Sequence, residues 1–300
     1  MQPLMRVRCD SALVGPSARS HEIRHLHPCD GSSPSSTTLT IDCKLRLFRV
    51  MIRLESELPL PGVGNEPLIR QEPGTDTNMR WNEMGINGAS LQCAGGTLGR
   101  HRHICAFFND IDEEHRVLRS FIKDGFERGD KSFHIVDPEL QEDHLKRLTA
   151  AGIDVAHAMN AGLLEVRRWQ EAYLRGERFD QNAMLALIEE LLQSGENAGY
   201  AVTRLLAHME WARLDKPGVD DLLEYETRLN YVLPKYDDPV ICTYDLSKFG
   251  ADIAIDIMRT HPVVIIGGVL QENPFFVPPD QLLAELRERR SSRANVRMAD

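Results

Sequence analysis

Short apolar runs alternate with amphipathic stretches from His103 almost to the end of the chain, and this alternation restricts the fold more than any other feature. A short apolar run is typical of a strand buried on both faces, and each amphipathic stretch is long enough for a helix. Repeated strand–helix units place their helices on both faces of a parallel sheet. The sequence therefore predicts an α/β fold with a parallel, doubly wound sheet of about six strands. The predicted strands are 103–108, 132–136, 163–167, 200–206, 239–244 and 263–269.

The helices between these strands have recognisable first and last residues. Asp110 and Glu113 form a capping pair ahead of the first helix. Asp137 followed by Pro138 begins the second helix, which ends at Gly152. The other predicted helices are marked by apolar positions at helical spacing over 184–192 (stopped by Gly195), 222–232, 247–259 and a stretch that follows Pro278-Pro279-Asp280.

Residues 1–99 lack this pattern and are rich in Ser, Pro, Gly and Arg. Such a composition does not supply the apolar surface that a packed core needs. We interpret 1–99 as a disordered N-terminal extension, 100–288 as the globular domain and 289–300 as a flexible tail. Part of the extension is expected to be an over-long gene prediction, because Met51, Met79 and Met84 are alternative starts.

The composition argues against several classes of protein. A formal net charge of -10 repels phosphate groups, so we expect no direct binding to nucleic acid. No apolar run approaches the roughly 20 residues that span a bilayer, so no membrane contact is expected. Residues 1–20 interleave arginines with apolar residues, unlike a secretory signal, and the six cysteines are then free thiols in a cytoplasmic protein.

In a nucleotide-binding fold of this class the first strand-to-helix turn holds the phosphate groups, and the residues of this turn do not suit that role. The turn Asn109–Glu114 contains no glycine to bring backbone N–H groups to a phosphate and no lysine to meet its charge. Its carboxylates would repel a triphosphate. Gly95, Gly96 and Gly99 precede the strand and are interpreted as a flexible approach to the domain. We expect no nucleotide and no other cofactor.

Nucleophilic catalysis is also unsupported. A reactive cysteine needs a thiol of lowered pKa near a base, whereas Cys105 and Cys242 lie in the middle of apolar strands. The Gly-x-Ser-x-Gly elbow of serine hydrolases is not present. The sequence therefore favours a protein that binds rather than one that catalyses.

Four side chains are candidates for a binding site. His103 and Cys105 are two residues apart on a predicted strand and point to the same face, Cys242 lies in the fifth strand, and His261 directly precedes the sixth. If they converge, two histidines and two cysteines suit zinc, although no closely spaced ligand pair is present. We favour buried thiols and hydrogen-bonded histidines, and predict no metal.

A second set of candidates lies at the carboxyl ends of the strands, where open α/β sheets usually bind ligands. The alternative is that the acidic residues cap helices and that the tryptophans belong to the core. The set comprises Asp110, Asp137, Arg168 with Trp169, His208 with Glu210 and Trp211, and Tyr244 with Asp245.

Six phrases, taken together in their order and spacing, resemble the MEDS family of sensory domains, which is named from methanogens, methylotrophs and a dichloromethane-responsive regulator. The similarity extends over about residues 100–285. The phrases are 103–108, 121–130, 224–230, 241–245, 261–265 and 273–279.

The resemblance implies a fold similar to the RecA and KaiC ATPases that has lost the phosphate loop. In such a sheet the first and fifth strands are neighbours, which would bring Cys105 and Cys242 into one pocket. The family is thought to sense small hydrocarbon derivatives, with the His103 and Cys105 positions in the sensing site. We therefore expect a ligand-binding site formed by His103, Cys105, Cys242, His261, Tyr244 and Asn273.

Three functions follow as hypotheses. The first is a non-catalytic sensor of a small molecule that signals through a separate protein, such as a kinase or a transcription regulator, because no output domain fits after Asp280. The second is a divergent RecA-like NTPase or phosphotransferase that uses Asp137, Glu210 or Asp245 as metal ligands. The third is an interaction scaffold without a small ligand.

Overall fold

A computed structural model describes residues 90–299 of the 300-residue chain, with side chains through residue 292. The predicted extension 1–99 therefore lies mostly outside the described residues. No helix in the described range is both long and apolar enough to cross a bilayer.

The described residues contain a seven-stranded sheet, which confirms the α/β prediction. Its strand order is β5-β4-β6-β7-β3-β8-β9, and every pairing is parallel except β8 with β9. The first and fifth predicted strands, β3 and β7, are neighbours, as the family resemblance implied. The strands are β1 (Leu91–Cys93), β2 (Gly96–Leu98), β3 (His103–Phe108), β4 (Lys131–Val136), β5 (Leu164–Arg168), β6 (Thr203–His208), β7 (Val240–Asp245), β8 (Val263–Ile266) and β9 (Val269–Glu272).

The helices follow the predicted order, with one addition, the short α3. The Asp110 side chain caps α1 by accepting a 2.8 Å hydrogen bond from Glu113 N, and Gly129 ends this helix at a φ of 77°. The helices are α1 (Ile111–Arg128), α2 (Gln141–Ala150), α3 (Val155–Asn160), α4 (Gln181–Asn197), α5 (Leu222–Val232), α6 (Ala251–Met258) and α7 (Pro279–Ala299).

Two predicted strands and several helix ends differ from the structure; α2, for example, begins at Gln141 rather than at Asp137-Pro138. The segment 200–206 becomes a strand only from Thr203, and 263–269 is an antiparallel hairpin turned at Gly267 and Gly268, both of positive φ. Gly195 lies inside α4 rather than at its end. A Cβ at this position would overlap Thr203 Oγ1. The glycine is needed for close helix–strand packing.

The N-terminal boundary of the ordered domain lies earlier than predicted. β1 and β2 form a hairpin whose turn residues, Ala94 and Gly95, have φ values of 45° and 75°. Leu91 and Leu98 are buried in the main hydrophobic core, and Leu270 N of β9 donates to Ala94 O at 3.3 Å. Residues 91–98 are therefore structured, in contrast to the predicted flexible approach.

The C-terminal tail also differs from its prediction. The segment 289–300 was expected to be flexible, whereas α7 continues through Ala299. Arg289 Nη1 pairs with Asp256 Oδ2 at 2.9 Å, and Arg290 Nη2 pairs with Asp221 Oδ1 at 2.8 Å. These contacts attach the last helix to α6 and to the start of α5.

The sheet separates two sets of buried side chains. In β3, Ile104, Ala106 and Phe108 pack in the core cluster that contains α1, and we call this side the α1 face. Because strand side chains alternate, His103 and Cys105 point to the opposite side, where α5 lies against them. We call that side the α5 face.

Candidate functional site

A buried carboxylate, Glu226 of α5, is the centre of the site on the α5 face. Its side chain is 0% exposed, and Oε2 lies 3.2 Å from His103 Nε2 and 3.4 Å from His261 Nε2. Cys242 Sγ lies 3.9 Å from the same oxygen. Donor atoms of all four side chains lie within 4.8 Å of one another, and we call His103, Glu226, Cys242 and His261 the Glu226 cluster.

The sheet brings these residues together from distant parts of the chain. β3 and β7 pair in parallel with Cys105 directly opposite Cys242, so both side chains point to the α5 face. His261 ends the connection that leads into β8, the other neighbour of β3. Three of the residues predicted to converge therefore do so, and α5 adds Glu226.

His261 is fixed in one tautomer. Its Nδ1 lies 3.0 Å from Ile257 O and 2.7 Å from Thr260 Oγ1. Because the Thr260 hydroxyl donates to Ile257 O at 2.7 Å, His261 Nδ1 carries the proton and donates it. The Nε2 atom is therefore an acceptor, yet it is buried and has no hydrogen-bond partner among the described residues. Burial, aided by the nearby charge of His103, holds the pKa of His261 well below 6.5, which keeps the ring neutral.

His103 shares a proton with Glu226. Asn230 Nδ2 donates to Thr260 O at 2.8 Å, which orients the amide so that Oδ1 accepts from His103 Nδ1 at 3.1 Å. The other ring nitrogen, Nε2, faces the carboxylate of Glu226 at 3.2 Å. Both nitrogens thus face acceptors, and a single proton lies between the imidazole and the carboxyl group.

The two strand cysteines are protonated thiols. Burial raises the pKa of Cys105 and Cys242 well above 9.0, and the negative charge of Glu226 adds to the effect. Cys105 Sγ is directed at Val263 O, 3.8 Å away, rather than at the donor atoms of the cluster. Both cysteines are free, and thiols with such raised pKa values are poor nucleophiles.

Tyr244 and Asn273, the remaining predicted site residues, have different positions. Tyr244 is fully buried and its hydroxyl donates to Glu226 Oε1 at 3.0 Å, so it borders the cluster directly. Asn273 Nδ2 instead donates to two backbone oxygens, Met258 O at 2.6 Å and His261 O at 2.7 Å. Asn273 therefore holds the His261 backbone and does not face the donor atoms.

The acidic candidates at the carboxyl ends of the strands hold turns together. Asp137 Oδ1 accepts from Glu139 N at 2.9 Å, and Asp245 Oδ1 accepts from Ser247 N at 2.8 Å. The aromatic candidates at the same edge are buried, with Trp211 fully enclosed and stacked on Tyr173 at 4.5 Å between ring centroids. Asp137 and Asp245 therefore stabilise turns, with Leu140 rather than Asp137 at the N-cap of α2, and the tryptophans belong to the core.

Sequence analysis missed Glu226, although a signal was present. Leu222, Tyr225 and Leu229 form the apolar side of α5, and residue 226 is four positions after Leu222 on the same side. A carboxylate on the core side of a helix is expensive to bury unless it has a polar partner. Such a residue is a site candidate from pattern alone.

A second buried histidine group on the α1 face was also missed. We call Glu114, His134, His144 and His208 the His208 cluster; all four are buried. Burial opposes the charged form of His208, but the Glu114 carboxylate, 3.0 Å from Nε2, outweighs it and raises the pKa of His208 to about 9. Burial lowers the pKa of His134 to about 3, and the charge of His208 adds to this. The cluster therefore combines an ion pair with neutral imidazoles.

Comparison with known proteins gives one family and a set of distantly similar solved structures. The chain matches no curated protein. Similar solved structures include the KaiC-like protein PH0186 from Pyrococcus horikoshii OT3, with 17% identity over 55% of this chain and 70% of that chain and a TM-score of 0.39. Another is the flagellar accessory protein FlaH from Methanocaldococcus jannaschii, with 12% identity over 59% of this chain and 78% of that chain and a TM-score of 0.38.

The family match coincides with the sheet and its site. A family model described as MEDS, the methanogen/methylotroph, DcmR sensory domain, matches residues 102–262. The matched range begins just before β3 and ends at the connection into β8, and so contains every residue of the Glu226 cluster. Because this range is more than half of the 300 residues, the chain belongs to the MEDS family of sensory domains.

Proposed function

We propose that this domain is a non-catalytic sensor that binds a small molecule at the Glu226 cluster and signals through a separate protein. The observation that carries the proposal is the buried cluster itself, with an unpartnered acceptor at His261 Nε2 beside a carboxylate. An unsatisfied polar atom in an interior costs up to several kcal/mol, so an unpartnered nitrogen beside a buried carboxylate favours a binding role here.

The burial of the cluster limits the size of the ligand. His103, Cys105, Cys242 and His261 are all no more than 2% exposed, so a large substrate would have to open the sheet–helix contact. A small hydrocarbon derivative, the ligand class expected for the family, needs only a local opening. Such a ligand would contact Cys105 and Cys242 and face the imidazole rings of His103 and His261.

α5 supplies a route by which binding could alter a protein surface. Glu226 and Asn230 of α5 contact the cluster, and the same helix packs on α4 and α7. On its outer side Tyr231 is 46% exposed. A ligand that changes the contacts of Glu226 would shift α5, and so change the affinity of the domain for a kinase or transcription regulator in trans.

The test is thermal unfolding of the full chain with a panel of small halogenated, methylated and hydrocarbon compounds, and separately with Mg-ATP. A compound that binds only the folded state raises stability by about 2.7 kcal/mol at a concentration one hundred times its Kd. We expect organic compounds to raise the Tm, and the shift to be lost in His103→Ala and Cys105→Ala but retained in His157→Ala, an exposed histidine of α3.

The same experiment evaluates the enzyme hypothesis. A Tm increase with Mg-ATP alone, together with magnesium-dependent turnover lost on replacement of Asp137, Glu210 or Asp245, would replace the sensor with an NTPase. No response to any small compound, with partner binding intact in His103→Ala, would instead favour the ligand-free scaffold.

A further inference from the structure

Two electron-rich atoms face each other inside the Glu226 cluster. His261 Nε2 carries no proton, because Nδ1 donates to Ile257 O, and its lone pair lies 3.4 Å from Glu226 Oε2. No donor group from the described residues reaches this nitrogen. A lone pair and a carboxylate oxygen repel each other in a low-dielectric interior, and a cation between them would turn the repulsion into attraction.

We propose that the Glu226 cluster binds one divalent transition-metal ion of the zinc class. The inference rests on the proposed function, because it takes the same cluster as the sensing site. It adds that a metal ion is bound there. The coordinating atoms are His103 Nε2, Glu226 Oε2, Cys242 Sγ and His261 Nε2.

The distances suit a tetrahedral shell. Metal–ligand bonds of zinc place neighbouring ligand atoms roughly 3.3–3.8 Å apart. Glu226 Oε2 lies 3.2 Å from His103 Nε2, 3.4 Å from His261 Nε2 and 3.9 Å from Cys242 Sγ. Since no pair of donor atoms is separated by more than 4.8 Å, side-chain shifts of about 1 Å complete the shell.

The types of donor atom select the metal. Two imidazole nitrogens, a thiolate and one carboxylate oxygen suit zinc and its neighbours in the transition series, whereas Mg²⁺ and Ca²⁺ require shells of oxygen. The charges also balance, because a divalent ion is neutralised by the carboxylate of Glu226 and the thiolate of Cys242. A neutral assembly is far less costly to bury than an isolated charge.

The surrounding hydrogen bonds already orient the ligands. His103 Nδ1 donates to Asn230 Oδ1 at 3.1 Å, and His261 Nδ1 donates to Ile257 O at 3.0 Å. Tyr244 OH donates to Glu226 Oε1 at 3.0 Å, which leaves Oε2 directed at the other donors. Metal-binding histidines characteristically use their second nitrogen in this way, because it fixes both ring orientation and tautomer.

Metal binding must release protons. The ion bonds to Cys242 Sγ as the thiol proton leaves to solvent, and to His103 Nε2 and Glu226 Oε2 as the proton they share leaves. All four ligands supply lone pairs, so no oxidant or reductant is involved. The affinity should therefore increase with pH, and the heat of binding should depend on the ionisation enthalpy of the buffer.

The experiment uses full-length protein treated with a chelator, then titrated with Zn²⁺ against a chromophoric chelator and with Co²⁺ as a spectroscopic probe. We expect one tight site, a thiolate-to-cobalt charge-transfer band, and the intense visible bands of tetrahedral cobalt. Cys242→Ala should lose the charge-transfer band and at least about 100-fold in affinity. Cys93→Ala, which truncates an equally buried thiol on the α1 face, should retain both.

Cysteines outside the described residues require a second control. A variant with Cys9, Cys29 and Cys43 all replaced by Ala should keep the charge-transfer band. This result would assign the thiolate ligand of the cobalt to a cysteine of the domain. A wild-type protein without a charge-transfer band, or a band that survives in Cys242→Ala, would overturn the metal site. The wild-type spectrum needs no substitution, so a variant that fails to fold does not prevent the test.

Failure of this inference is distinguishable from failure of the sensor. If chelator-treated protein shows no metal binding but organic compounds raise its Tm, the sensor stands and the metal site is wrong. If the metal binds as described but no organic compound affects the Tm with metal bound or removed, the metal site stands and an organic ligand is wrong.

Discussion

The Glu226 cluster and the His208 cluster each combine buried histidines with one glutamate, on opposite faces of one sheet, yet their atoms are arranged differently. In the first, four donor atoms converge within 4.8 Å. In the second, the imidazoles contact one another: His134 Nδ1 lies 2.8 Å from His144 Nε2, and the ring centroids of His144 and His208 are 5.8 Å apart. Buried histidines alone do not make a binding site. The proposed binding site depends instead on the convergence of donor atoms.

Charge distinguishes the two clusters as well. On the α1 face, His208 and Glu114 form an ion pair, so a positive and a negative charge are already matched inside the protein. On the α5 face, a single proton serves both His103 and Glu226, and the lone pair of His261 remains unmatched. Each cluster leaves one imidazole nitrogen without a partner among the described residues, His144 Nδ1 in the first and His261 Nε2 in the second, and His261 Nε2 lies 3.4 Å from Glu226 Oε2.

The largest expected effect comes from removing the central carboxylate. Glu226→Ala leaves His103 buried without its acceptor, and should lower the free energy of unfolding of the metal-free protein by about 3–5 kcal/mol. The matched control is Glu224→Ala on the same helix, whose partner Arg290 is 50% exposed, and it should cost no more than about 1 kcal/mol. Urea unfolding measures both, and equal losses would remove Glu226 from the centre of the site.

Acid should destabilise the protein through the His208 cluster. The folded-state pKa of His134, about 3, is below the unfolded value of 6.5. Above pH 6.5 the residue is neutral in both states, so its burial takes nothing from the free energy of unfolding through titration. As the pH decreases from 6.5 towards 3 only the unfolded state gains the proton, and the protein loses stability. In His134→Gln the decrease in unfolding free energy between pH 7 and pH 4 should be smaller by about 3 kcal/mol. An unchanged pH profile would mean that His134 is charged in the folded state.

Mild alkali should also destabilise the protein, through the ion pair. The pKa of folded His208, about 9, exceeds its unfolded value of 6.5, so its contribution is fully present below pH 6.5 and is lost as pH rises towards 9. Wild type should lose about 2 kcal/mol between pH 6.5 and pH 8.5. Glu114→Gln, which lacks the counter-charge, should show a flat profile over the same range when followed by urea unfolding.

The smallest effect should come from the hydroxyl that borders Glu226. Tyr244→Phe removes the donor to Oε1 and should cost about 1–2 kcal/mol, because a buried charge-assisted hydrogen bond is lost. Tyr231→Phe is the matched control, since Tyr231 OH donates to Asp280 at the surface. A cost of only a few tenths of a kcal/mol is expected there. Equal costs would mean that Glu226 does not depend on Tyr244.

The sequence predicted the elements better than the site. Strand β3 and the Asp110 cap follow from local patterns, because apolar runs and capping pairs are short-range signals. The hairpin β1–β2 was missed because it is very short and gains its stability from tertiary contacts such as Leu270 N to Ala94 O. The Gly267-Gly268 turn lay within a continuous apolar run, which hid the change of direction from β8 to β9.

For the site, the histidines and cysteines could be predicted from the sequence, but their partners could not. The convergence of His103, Cys242 and His261 was accessible from strand alternation together with the family resemblance. Glu226 was not identified, because a helix pattern shows which residues are buried but not which atoms of the sheet they meet. Its role depends on how α5 crosses the sheet, which is a property of the whole fold.

The position of β3 in the sheet has a consequence for biosynthesis. This strand comes early in the domain, but its partners come late: His103 and Glu226 are 123 residues apart, and Cys105 and Val263 are 158 residues apart. Such long-range pairing is slow to form. On the ribosome, β3 remains without either neighbour until nearly the whole domain has been translated. The Glu226 cluster is therefore assembled late, and a ligand that binds there would act selectively on chains that have completed the sheet.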